Sequence, residues 1–184
     1  MQALTTKEVV ALFGLDERRV RKEVEHGILD VTSPPQFDLA AVVYLRALFE
    51  LGFELGGVDD RKRLYSLILR AMQRSKPPAT VALSPIVELK LGSIVRYVKD
   101  RSTRFQRWRK RIVVDERVLG GEPVFPKSRL AVRNVGGLLL RGNSLDDIRG
   151  DYPYLTDEDL EFARMFAVAY PRLGRPRERQ AAAR

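Results

Sequence analysis

Six carboxylates stand in the stretch SLDDIRGDYPYLTDEDL, residues 144–160: Asp146, Asp147, Asp151, Asp157, Glu158 and Asp159. Clustered acids can move protons or hold a divalent cation, so they are the first residues to test for chemistry. Either task needs company: convergent side chains with a nucleophile or base nearby, or further metal ligands. The 184 residues include no cysteine and one histidine, His26, which removes thiolate catalysis, disulfides and cysteine-held metals and leaves any metal almost wholly to carboxylates. A plainer role fits the spacing. Ser144 precedes Asp147 by three residues and Thr156 precedes Asp159 by three, the arrangement of a helix N-cap with acids in the first turn, where they complement the macrodipole. The expectation is two helix starts whose acids point outward, with no catalysis, metal or cofactor.

The opposite charge is more abundant. Lys and Arg number 33 against 24 Asp and Glu, a formal net charge of +9 that suggests a polyanionic partner. The excess is local. Between Val95 and Ile112 lie Arg96, Lys99, Arg101, Arg104, Arg107, Arg109, Lys110 and Arg111, opposed only by Asp100, and the end of the chain adds Arg172, Arg175, Arg177, Arg179 and Arg184 against Glu178. Phe105 and Trp108, three apart, would share one buried helical face and leave the arginines outside. Those arginines would then meet phosphates, an acidic protein or solvent. No run approaches the roughly 20 apolar residues of a membrane span, and the start MQALTTKEVV lacks the form of a signal peptide, so a soluble cytoplasmic protein is expected.

These residues need elements to position them. Thr5-Thr6-Lys7-Glu8 forms a capping box ahead of Val9, Leu12 and Phe13, and Gly14 ends the helix. Asp16 caps a second helix with Val20 and Val24 facing inward and His26-Gly27 closing it, His26 serving the helix end rather than a metal. Two short helices joined by a glycine-containing turn make a helix-turn-helix pattern. Ile28 to Val31 reads as extended and Ser33-Pro34-Pro35 as a turn. Asp38 caps a third helix through Leu51, Gly52 and Gly56-Gly57 interrupt, and a fourth runs from about Asp59 to Gln73. Lys76-Pro77-Pro78 is the clearest break. Beyond it come one or two strands within 80–91, a helix from Ser93 to about Lys110, extended pieces at 112–114 and 129–132 around a turn at Gly120 to Pro123, a helix from Val135 to Arg141, and the two helices of the acidic stretch.

Two resemblances follow. Residues 112–170 resemble the small VapB-like antitoxin domain, through the Gly120-Gly121-x-Pro123 turn, Ser128-Arg129-Leu130, the helix ending at Gly142, Ser144 with Asp147-Ile148, Tyr152-Pro153, and Leu155-Thr156 with Glu158-Asp159. That family's lysine-or-arginine-glycine-threonine-arginine turn is replaced here by Pro126-Lys127-Ser128-Arg129, which leaves the local turn geometry open. The segments LTTKEVVALFGLDERRVRKEVEHGIL and FDLAAVVYLRALFELGFEL resemble the DNA-binding module of MerR-type regulators. Together they imply a mainly α protein: a MerR-like winged helix-turn-helix domain at 1–75, linking strands and a basic helix at 76–111, a small helical, homeodomain-like antitoxin domain at 112–170, and a basic tail at 171–184. They also imply a bacterial type II antitoxin that represses its own operon and neutralises a PIN-type, VapC-like ribonuclease.

On that reading the second helix enters DNA, with Arg18, Arg19, Arg21 and Lys22 as base or phosphate contacts, Thr6 and Lys7 at the first helix start as phosphate contacts, and Ser33 and Gln36 in the wing. A solvated face, balanced by Glu17, Glu23 and Glu25, is the alternative. The tail lacks apolar periodicity and is expected to be disordered when alone. An arginine there, Arg172, Arg175, Arg177 or Arg179, would substitute for the cation in the ribonuclease's carboxylate site. A palindromic operator would require a homodimer or a hetero-oligomer with the toxin. A MerR-like regulator without a toxin is the nearest competitor, and a nuclease using the acids of 146–159 the third.

Overall fold

The computed structural model describes residues 2–52 and 57–171. Local caps start most of its helices. Thr5 Oγ1 accepts from the Glu8 amide while the Glu8 carboxylate accepts from the Thr5 amide, a closed box that opens α1 (Thr6–Phe13); Gly14, at φ 64°, ends it in the left-handed region that side chains resist. Asp16 caps α2 (Glu17–Glu25) through the Arg19 amide, and Asp38 caps α3 (Leu39–Glu50) through the Ala41 amide. Next comes α4 (Val58–Met72).

Strand β1 (Leu4–Thr5) pairs antiparallel with β2 (Gln36–Phe37), Leu4 opposite Phe37 and Thr5 opposite Gln36. The expected extended piece at 28–31 is not a strand. The amides of Ile28 and Leu29 both donate to the Glu23 carbonyl, so the chain wraps round the end of α2 and buries those two side chains instead of offering a ladder edge. After α4 a hairpin, β3 (Val81–Ser84) with β4 (Val87–Leu89), leads into α5 (Leu91–Arg111), 21 residues long.

Two further expectations are corrected beyond α5. Residues 112–114 and 129–132 are joined only by single bridges, Val113 to Val124 and Val124 to Ala131, and Val132 already opens α6 (Val132–Leu140). Leu119, Gly120 and Gly121 take positive φ in succession (51°, 63° and 81°), and this left-handed turn reverses the chain with little length left for a ladder. Ser144 then caps α7 (Leu145–Asp151) and Thr156 caps α8 (Asp157–Ala169), the latter with a closed box to Asp159.

Eight α-helices and two small two-stranded sheets are present among the described residues. Their apolar faces meet in one cluster reaching from Leu4 to Phe166. α1 packs on α2 and α8, α3 on α4 and α5, α5 on α8, and α6 most closely on α8. That last crossing depends on Gly136: a Cβ there would stand 2.1 Å from the Ala163 carbonyl oxygen and 2.7 Å from Ala167 Cβ. No helix among the described residues is long and apolar enough to cross a membrane.

Candidate nucleic-acid interface and the acidic cluster

Helix α2 divides its faces cleanly. Val20 and Glu23 are buried with Val24 at the edge, while Arg18, Arg19, Arg21 and Lys22 are exposed or nearly so. Arg21 pairs with Glu17 one turn away. Arg18 and Lys22, also one turn apart, have no hydrogen-bonding or ionic partner among the described residues, so their charge is available to a ligand.

Glu23 is not the solvated companion acid that its place in the sequence suggested. At 2% exposure it accepts from the Tyr44 hydroxyl at 2.6 Å and from the Arg61 guanidinium. Burial first and the adjacent carboxylate second push the Tyr44 phenol well above its ordinary range. Arg61 also faces His26 Nδ1 at 3.2 Å, and His26 occupies the C-cap of α2 as expected. These contacts clamp the exposed helix onto α3 and α4.

Thr6, half-buried, and Lys7, exposed, stand in the first turn of α1. Gln36 lies beside them, since its strand partner is Thr5. Ser33 is exposed at a cis bond to Pro34, in the loop before β2. Arg172, Arg175, Arg177 and Arg179 lie outside the described residues.

The acidic stretch and the basic helix answer one another. Phe105 and Trp108 are buried, as their spacing predicted; they stack on each other and pack at a tilt against Phe162 of α8. Their neighbours are not all outside. Arg101 donates to Glu161 at 2.7 Å and to the Leu12 carbonyl, Arg104 to Glu158 at 3.2 Å and Glu161 at 3.3 Å, and Arg111 to Asp159. Asp159, expected to point outward, is 6% exposed: it closes the Thr156 cap, accepts the Trp108 indole N–H at 3.0 Å and meets Arg111. Asp146, Asp147 and Asp157 stay at their helix starts, Asp147 bonded to Ser144 Oγ at 2.6 Å and Asp146 and Asp157 joined by Arg149, while Asp151 ends α7. Among the described residues no three of His, Asp or Glu are grouped to hold a metal.

A third buried acid had no expected role beyond its cap. Glu8, 2% exposed, closes the α1 box, pairs with Arg109 of α5 and accepts from the Tyr170 hydroxyl at 2.6 Å, just past α8. Its one sequence signal is placement between Thr5 and Leu12 on the inward stripe of α1. Burial, then Glu8, pushes the Tyr170 phenol up.

The left-handed Gly120-Gly121 turn, the capped α7 and α8 and the α6 crossing all fall within one stretch that matches a known family model, described as Protein of unknown function (DUF433), over residues 112–167. These residues are a DUF433 domain. No curated protein and no solved structure matches the chain. The departure in the turn Pro126 to Arg129 has a local structural cost: Lys127 takes φ 56° within the DUF433 domain, at the position where the resembled family carries glycine.

Proposed function

We propose that the chain is an antitoxin that represses its own operon, reading operator DNA with α2 in a MerR-like module and neutralising a PIN-type ribonuclease through its DUF433 region. The observation that carries this is the attachment of a DUF433 domain, through α8 and Tyr170, directly to α1, the first of two consecutive short helices of which the second leaves Arg18 and Lys22 unpaired among the described residues. Arg18, Arg19, Arg21 and Lys22 contact bases or phosphates, Thr6 and Lys7 the backbone, and Ser33 and Gln36 the flanking groove. Hydrolysis belongs to the partner. Arg172, Arg175, Arg177 and Arg179 supply a substitute cation to its carboxylate site.

The test is co-expression with the product of the neighbouring gene, expected on this reading to be a PIN-type ribonuclease, followed by RNA cleavage and operator-binding assays. Inhibition together with operator binding is expected, with deletion of residues 171–184 weakening inhibition and sparing DNA binding. Operator binding with no inhibition would leave a MerR-like regulator without a toxin. RNA or DNA cleavage by the chain alone, abolished in Asp147→Asn or Asp159→Asn, would overturn the reading in favour of a nuclease.

A further inference from the structure

The inward ion pairs divide the basic residues of α5 into two sets. Arg101, Arg104, Arg109 and Arg111 meet carboxylates of α8 and α1. Arg96, Lys99, Arg107 and Lys110 are exposed and have no hydrogen-bonding or ionic partner among the described residues. Their spacing of three, eight and three residues keeps them near one stripe opposite Val98, Ser102 and Phe105, with Thr103 in the gap. The only acid of α5, Asp100, is exposed beside this stripe and acts on Arg104. The stripe spans about 21 Å at the helical rise, the length over which a DNA strand presents roughly six phosphates.

We infer that this outward stripe of α5 is a second, sequence-independent contact to the DNA backbone, continuous with the start of α1. Continuity is set by two contacts. Gln106, adjacent to Arg107 and one turn before Lys110, donates to the Gln2 carbonyl at 2.9 Å, and Arg109 reaches Glu8, so the C-terminal half of α5 lies along the segment that delivers Thr6 and Lys7. Composition favours DNA over an acidic protein. A protein interface centres on apolar and aromatic side chains, whereas this stripe offers cations and a hydroxyl with no apolar residue between them. The inference rests on the operator-binding reading above, and adds to it a surface that contributes affinity without reading sequence.

The experiment measures binding of a random-sequence duplex and of operator DNA as salt is varied, using the full chain, the variant Arg96→Gln/Lys99→Gln/Arg107→Gln/Lys110→Gln, and a control, Arg18→Ala/Lys22→Ala. The stripe variant is expected to keep its helicity and to weaken binding to both duplexes by the same factor. Its plot of log affinity against log salt should be shallower by about 0.9 for each phosphate that is no longer neutralised, ~3.6 when all four cations are removed. An unchanged slope, with the control still weakened, overturns the inference and leaves operator binding by α2 in place. No binding of either duplex by the unaltered chain overturns both. Unchanged DNA binding with loss of ribonuclease capture assigns the stripe to an acidic protein and also overturns the inference. Charge reversal at two sites, Arg107→Glu/Lys110→Glu, gives an independent reading: a weakening larger than that of the corresponding Gln pair is expected, and an equal one counts against phosphate binding.

Discussion

Helices α2 and α5 are both crowded with arginine and differ in what faces them. Of the exposed cations of α2, Arg21 meets Glu17 on its own helix while Arg18 and Lys22 meet no acid among the described residues, whereas four cations of α5 face the first turns of α8 and the cap of α1. Half of the α5 cations therefore stabilise the fold while those between them remain outside. A run of positive charge announces a polyanion site only after the carboxylates on facing elements have been subtracted. The same subtraction applies to the acidic stretch, where Glu158 and Asp159 each pair with an arginine of α5.

The most damaging way to break the contrast is to unseat α8, which would free the arginines of α5 that it holds. Gly136→Ala places a methyl group 2.1 Å from the Ala163 carbonyl oxygen, where backbone must move. A destabilisation of roughly 3 kcal/mol or more is expected, measured by urea unfolding; a value below about 1 kcal/mol would show that the crossing is looser than described. Asp159→Ala removes one acid only, leaving the Trp108 N–H and Arg111 without their partner and α8 without its closed cap. It should cost about 2–3 kcal/mol, while the DNA affinity of the folded fraction holds.

The opposite pattern is expected from α2. Arg18→Ala/Lys22→Ala should leave stability within about 0.5 kcal/mol and weaken operator binding about tenfold or more. Equal effects on both would mean that α2 is structural like the inward side of α5. The smallest effect concerns pH. Because the Tyr170 phenol is pushed up from 10.0, it keeps its proton in the folded chain while the unfolded chain loses it. Its stabilising contribution is complete below about pH 10 and falls as pH rises further. Tyr170→Phe should flatten that alkaline decline in a pH series of unfolding curves, and an unaltered slope would show that other groups govern it.

The helices were legible in the sequence because caps are local: Thr5 with Glu8, Asp16, Asp38, Ser144 and Thr156 each mark a start within four residues. The mainly helical class followed from them. The short pairings did not. β1 and β2 hold two residues each and lie about 30 positions apart, too little for an alternating pattern to register. The exposed candidates on α2 were legible for the same local reason, since Val20 marks the inward face. Glu8, Glu23 and Asp159 were misplaced or missed because an acid on a helix is solvated or paired according to what the opposite element brings. For these three the partners Tyr170, Tyr44 and Trp108 stand 162, 21 and 51 residues away.

The meeting of Glu8 with Tyr170 also has a consequence for synthesis. A ribosome delivers the acid early and the phenol 162 residues later. Until then the carboxylate that closes the first helix cap lacks the last of its partners, and α1 has no α8 to lie against. Helices α1 and α2 are made before α8 and gain their last support only once it has emerged. A chain cut short anywhere before α8 lacks both the α6–α8 crossing of the DUF433 domain and the completed support of α1, so its first two helices would be held less firmly than in the finished protein.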